Sequence, residues 1–222
     1  VIAPAGYWVA LLTLLGVLLY LGIKYRALRA SASDLATTLS RRDTELLEAR
    51  ESLHRIAAID PVTSLDNHSA FQEFLQAEWR RALREASCIC VLLVDIDYFR
   101  DYNDRLGHQA GDECLARIGS TLKEVVQRPG DLVARHGGGE FTVVMSRTDP
   151  QGASQVAHRV CAAVEALAMT HPESEVSPRV TVSVGVSTST PAVDSHWEEL
   201  ELVAAANRAL TQAKEADPED QS

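Results

Sequence analysis

From Val1 to Ile23 the chain carries no charged side chain, and from Tyr7 to Ile23 it is almost continuously apolar, YWVALLTLLGVLLYLGI. No other feature restricts the fold as much. A helix rises about 1.5 Å per residue, so about 20 such residues cross a bilayer core. Tyr7 and Trp8 stand at one end of the run, and Lys24, Tyr25, Arg26 and Arg29 at the other. An aromatic anchor followed by a basic exit places the following chain in the cytoplasm. The segment 1–26 is therefore expected to be a transmembrane helix in a bacterial inner membrane. A signal peptide or a buried core helix is the alternative; the missing basic region upstream counts against the first and the basic exit against the second. The first residue is Val rather than Met, which points to sequence upstream.

Residues 27–58 carry a heptad. Ala32, Leu39, Leu46 and Leu53 fall at a, and Leu28, Leu35, Arg42, Ala49 and Ile56 at d, with only Arg42 out of character. This seam predicts a parallel two-stranded coiled coil and hence a homodimer. The alternative is one amphipathic helix packed on its own domain.

Charge divides the chain at the same place. Residues 1–58 hold 7 Lys/Arg and 5 Asp/Glu, and the remainder 14 and 26, so a net +2 segment precedes a net −12 segment. An acidic domain is not a binder of nucleic-acid polymers, which needs a basic face. Hydrophobic residues make up 46% of the chain, enough for a core. The cysteines, Cys88, Cys90, Cys114 and Cys161, lack zinc spacing and read as buried thiols.

After Asp60 the periodicities alternate. Helices are expected over about 69–86, around Leu115–Val125, around Val156–Leu167 and around Val203–Ala213. Strands are expected at 88–96, 131–136 and 140–146, and along Val180, Val182, Val184 and Val186. Gly137-Gly138-Gly139 between the middle two is a hairpin signal. The fold class is α/β (α+β), a mixed central sheet flanked by helices. The first strand ends in Asp95-Ile96-Asp97, two carboxylates that can hold a hard cation or merely form a turn. Tyr102 to Asp112 reads either as a base-pairing segment or as a plain loop with capping residues.

Together these stretches resemble the GGDEF family, the diguanylate cyclase domain with its nucleotidyl-cyclase-like palm fold. DPVTSLDN is similar to the family's opening motif, and DIDYFRDYNDRLGHQAGDECL to its long signature. RHGGGEF stands at its naming hairpin, and VSVGVS at the strand that follows. The resemblance places a GGDEF-like domain over 59–217, with an acidic tail at 218–222. It implies condensation of two GTP into cyclic di-GMP with Mg²⁺ or Mn²⁺. It further implies metal ligation by Asp95 and the Ile96 carbonyl, and guanine recognition by Asn103 and Asp112 with His108 beside them. Phosphates would be faced by Tyr98, Phe99, Arg100 and Lys214.

The departures point to impairment. Gly139 stands where the family has its metal-binding acid, and removing a contributor of that class costs about 10²–10³ in rate. Glu140 is one residue along and is expected on the other face of the strand. Pro218 stands where a phosphate-binding Arg is implied, and Ser64 and His68 replace Gly and Arg. Arg128-Pro129-Gly130-Asp131 matches the family's RxxD inhibitory site for cyclic di-GMP, and Pro-Gly predicts a type II turn. The alternative there is a helix-ending turn with an ion pair. Three readings follow: an impaired cyclase that binds cyclic di-GMP or GTP and signals to an effector protein, an active cyclase, or a structural dimerisation module.

Overall fold

The computed structural model describes residues 58–192 and 199–216, together with helical positions 18, 19, 21, 22, 24–26, 28, 29, 41 and 42. The chain divides into two compact units, Val1–His54 and Arg55–Ser222. In the first unit Leu18, Leu19, Leu21, Tyr25 and Leu28 are helical and exposed. Among the described residues no helix is long and apolar enough to cross a membrane. Most of the expected span, most of the heptad and the 217–222 tail lie outside the described residues.

The second unit opens with a two-residue strand, β1 (Asp66–Asn67), and then α1 (His68–Glu85). Asn67 caps α1, its side chain accepting from the Ala70 amide at 3.1 Å. The order continues as β2 (Ile89–Ile96), α2 (Phe99–Leu106), α3 (His108–Val125), β3 (Leu132–Gly137) and β4 (Glu140–Ser146). It closes with α4 (Pro150–Ala166), β5 (Val182–Ser189) and α5 (Glu199–Ala216). The sheet runs β1-β3-β4-β2-β5. Only β1 and β3 pair in parallel; the other neighbours are antiparallel, giving the expected mixed sheet.

β2 explains the architecture. It is internal to the sheet and buried on both faces, so its sequence is a continuous apolar run rather than an alternating one. Cys90, Leu92, Val94 and Ile96 pack with Ile118 and Leu122 of α3 and Val160 and Val164 of α4. Ile89, Val91 and Leu93 face the other way, into Phe71, Leu75 and Trp79 of α1 and Leu202 and Ala206 of α5. The four cysteines form no disulfide with one another; Cys90 and Cys114 are fully buried, whereas Cys88 and Cys161 are half-buried. Burial pushes the thiols of Cys90 and Cys114 up to about 12 and about 11, so both are inert.

Three expectations change. Tyr102–Asp112, for which a plain loop is one of two readings, is helical: α2 and α3 are separated only by Gly107, at φ 86°. The Arg128–Asp131 turn exists, with the Asp131 amide bonded to the Arg128 carbonyl at 3.0 Å. Gly130 is not among the residues of positive φ, so the turn is not type II. Strand β5 begins at Val182, two residues later than the valine alternation implies.

Candidate functional site

Where β2 ends, the backbone turns sharply. Asp97 is 7% exposed and accepts hydroxyl hydrogens from Thr181 at 2.6 Å and Ser183 at 2.7 Å. The second carboxylate of the Asp95-Ile96-Asp97 pair is thus occupied in holding the turn. Tyr98 follows at φ 52°, a left-handed conformation unusual for a side chain of this size. The reversal brings the start of α2, with Phe99 and Arg100, to the end of the sheet. Arg100 is almost fully exposed, 3.9 Å from Asp104.

The hairpin between β3 and β4 stands beside this turn. Gly137 and Gly138 have φ 147° and 52°, conformations that Gly adopts without a Cβ clash. Gly139 is buried against the turn: its carbonyl accepts from the Ile96 amide at 3.2 Å, and a Cβ there would lie 3.0 Å from the Phe99 ring. Arg135 fixes the hairpin from behind. One of its guanidinium nitrogens reaches both Asp60 oxygens at 3.2 Å, and another donates to the Gly138 carbonyl at 3.0 Å. At Asp60 burial opposes ionisation, but the Thr63 hydroxyl and amide, followed by Arg135, outweigh it and hold the carboxyl below its ordinary value. Asp60 and Arg135 did not emerge as site residues from the sequence. Their signal lies in the opening DPVT and in the Arg of RHGGGEF.

The acid geometry differs from expectation in one respect. A Cβ at Gly139, in the turn just before β4, would face Phe99. Asp95, however, lies directly across the antiparallel pair from Glu140. Directly opposed residues share a face, with Cβ atoms about 4.5–5.5 Å apart. Glu140 therefore stands beside Asp95 without any slip of register. The Asp95 carboxylate also pairs with the Lys214 ammonium from α5. Among the described residues no group of three or more His, Cys, Asp and Glu side chains gathers for a metal ion. The donors at this edge are two carboxylates and the Ile96 carbonyl, hard oxygen ligands that fit Mg²⁺ or Mn²⁺.

On the other side of the turn, α2 and α3 lie in contact at Asn103 and Gly111. A Cβ at Gly111 would fall 1.9 Å from Asn103 Oδ1, so only Gly admits the Asn103 amide here. Asn103 is half-buried, while Asp112 and His108 are exposed on α3. The structure thus brings Asn103, Asp112 and His108 to one helix pair. Tyr98, Phe99 and Arg100 lie at the turn, Asp95, Ile96 and Glu140 where β2 ends beside β4, and Lys214 reaches Asp95 from α5.

Arg128 and Asp131 belong to a separate cleft of about 270 Å³ between α1 and the ends of β2 and β4. Arg128 donates to Thr148 at 3.4 Å, and Asp131 accepts from the Ser146 amide at 3.3 Å. Burial raises the Asp131 carboxyl above its ordinary value, with the Ser146 amide and Arg128 opposing. Arg81, paired with Glu78 at 2.9 Å, and Arg147, paired with Glu85 at 2.7 Å, line the same cleft.

These motifs follow one another along the chain in the order of the family that the sequence resembles, and comparison with known proteins shows that family. Residues 57–219 match the family described as diguanylate cyclase, GGDEF domain, and the chain belongs to that family. It is 34% identical over 161 residues to the probable diguanylate cyclase DgcT of Escherichia coli, covering 72% of this chain and 34% of that protein. It is 31% identical over 175 residues to the probable diguanylate cyclase DgcC of the same organism, covering 78% and 45%. The chain thus spans between about a third and a half of the length of these curated relatives. Among solved structures it is similar to the coiled coil and GGDEF domain of DgcB from Caulobacter crescentus in complex with c-di-GMP. That match has a TM-score of 0.65 and 26% identity, covering 85% of this chain and 94% of that one. The diguanylate cyclase SiaD of Pseudomonas aeruginosa, in complex with its activator SiaC, matches with TM-score 0.63 and 28% identity, covering 91% and 75%.

Proposed function

We propose that this chain is a membrane-tethered, dimeric GGDEF protein of cyclic di-GMP signalling. It binds the cyclic dinucleotide at Arg128 and Asp131 and makes it slowly or not at all. The observation that carries this reading is the pairing of an intact RxxD turn, set in its own cleft, with Gly at the acid position of the hairpin. An Arg fork matches the O6/N7 edge of guanine, and a carboxylate matches its N–H edge. Arg81 and Arg147 supply further cationic groups for the phosphates. The DgcB domain, crystallised with c-di-GMP, supports the ligand class. GTP with Mg²⁺ or Mn²⁺ is assigned to the remnant site. The N-terminal apolar run supplies the inner-membrane anchor, with the domain cytoplasmic, and the heptad supplies the dimer. An effector protein receives the signal.

Calorimetry of the full chain with cyclic di-GMP tests the reading. Binding is expected, with a loss of about tenfold or more in Arg128→Ala, the scale of one charge-assisted hydrogen bond. No heat, or equal affinity in Arg128→Ala, overturns it. A second reading, a working cyclase, is favoured by one observation, the cross-strand placement of Glu140 beside Asp95. Robust cyclic di-GMP production from GTP and Mn²⁺, abolished by Glu140→Gln, decides for it.

A further inference from the structure

The loop between α4 and β5 grips the turn that follows Asp97. Its own shape is fixed by a bridge between Thr170 and Arg179, by the His171 amide on the Pro178 carbonyl at 2.9 Å, and by the Val180 amide on the Met169 carbonyl at 2.8 Å. From this base Thr181 and, just inside β5, Ser183 hold Asp97. Glu175 accepts from the Tyr98 hydroxyl at 3.4 Å, and Glu173 pairs with Arg105 of α2 at 3.2 Å. At the centre sits His171, 1% exposed, with its ring edge-on to Tyr102 at 5.2 Å between centroids.

His171 Nε2 lies 3.1 Å from the Tyr98 carbonyl oxygen. A carbonyl only accepts, so the ring proton is on Nε2. Among the described residues Nδ1 is buried without a partner, the arrangement expected of a lone pair rather than of an N–H. The same Tyr98 carbonyl accepts from the Tyr102 amide at 3.0 Å, in the first turn of α2. A left-handed non-glycine residue persists where its surroundings over-determine it. Among the described residues, a buried side-chain donor, His171, is aimed at that residue.

We infer that His171 is a positioning residue for the nucleotide site. Its Nε2–H locks the Tyr98 carbonyl, and through it the peptide planes of Tyr98, Phe99 and Arg100, in the orientation that faces a nucleoside triphosphate. The inference rests on the assignment of GTP to the remnant site, and it adds a residue that never approaches the ligand. Its specific content is a hydrogen bond, not a packing contact.

The test uses the full chain as wild type, His171→Phe and His171→Gln. Phe keeps a planar ring against Tyr102 and removes the donor, whereas Gln carries an amide N–H at about the reach of Nε2. Two readouts are combined: calorimetry with a non-hydrolysable GTP analogue in Mg²⁺, and amide hydrogen exchange at Phe99–Tyr102. Phe is expected to weaken the analogue about tenfold and to speed exchange, while Gln restores both to within about threefold. Cyclic di-GMP binding at the Arg128 cleft should be unchanged in both variants, showing that each is folded. Equal behaviour of Phe and wild type overturns the inference, as does equal loss in Phe and Gln. So does a ¹⁵N imidazole spectrum with the proton on Nδ1. If wild type itself binds no analogue, the GTP assignment falls, and exchange still decides whether His171 holds the turn.

Discussion

The turn at Asp97–Asn103 and the hairpin at Arg135–Glu140 touch through Gly139 and Phe99, yet they are built on opposite principles. The turn is over-determined from behind: Asp97 is buried under two hydroxyls, Tyr98 is held at its carbonyl, and Tyr102 is packed on His171. The hairpin is held at one shoulder by Arg135 and carries two glycines in left-handed or extended positive φ, with Glu140 exposed at its end. Binding chemistry tolerates a rigid scaffold made of the main chain. Metal-assisted transfer needs side-chain carboxylates, and on the proposed reading the hairpin offers Gly at position 139 where one is required.

The sharpest way to break this contrast is to repair the hairpin. Gly139→Asp should raise cyclic di-GMP formation from GTP and Mn²⁺ by about 10²-fold, the value of one preorganised electrostatic group. The new Cβ must displace the Phe99 ring by a few tenths of an ångström, so Phe99→Leu in the same background should raise it further. No gain in either variant would place the defect elsewhere, with Pro218 the first suspect. Damage to the turn should follow the opposite pattern. Asp97→Ala strands two hydroxyls and is expected to cost about 3 kcal/mol in urea unfolding, with loss of nucleotide binding. Gly111→Ala should spare most of the stability and drive the Asn103 amide from its seat, so guanine selectivity over adenine falls while thermal stability changes little.

Two smaller effects probe the opening segment. Ser64, where the family has Gly, sits at φ 56°. Ser64→Gly should therefore stabilise the domain by up to about 1 kcal/mol, read as a rise in Tm. His68 Nδ1 lies 3.0 Å from His136 Nδ1, and burial, then the His136 charge, lower the His68 pKa below its ordinary value. The unfolded chain then binds more protons than the folded one, so stability present above about pH 6.5 declines as pH falls through that value. A Tm measured from pH 7.5 to 5.5 should drop, and His68→Phe should flatten the drop.

Much of this was legible from periodicity. A buried central strand writes itself as an apolar run, and β2, the hairpin, α1 and α4 lie within one or two residues of expectation except at the start of α4. The motif residues were legible as residue types. What escaped was whatever depended on contacts distant in sequence. Tyr102–Asp112 has the Asn, Asp and Gly content of a loop, and becomes two helices because Tyr102, Cys114 and Leu115 find the core. Glu140 looked misplaced because alternation relates it to Gly139, whereas register relates it to Asp95. His171 lies in a stretch without period, and nothing local marks it as the donor to a carbonyl 73 positions earlier.

The parallel pairing of β1 with β3 has a mechanical meaning. Residues 58–67 fold back on themselves, with the Asn67 amide on the Ala58 carbonyl at 2.8 Å and the Asp60 amide on the Leu65 carbonyl at 2.8 Å. From that small buckle a single carboxylate–guanidinium link runs from Asp60 to Arg135 and on to the Gly138 carbonyl at the hairpin tip. Residue 58 and the hairpin tip are thus joined through a short series of hydrogen bonds. The signature loop is thereby tied to the segment that precedes β1 as well as to its own strands.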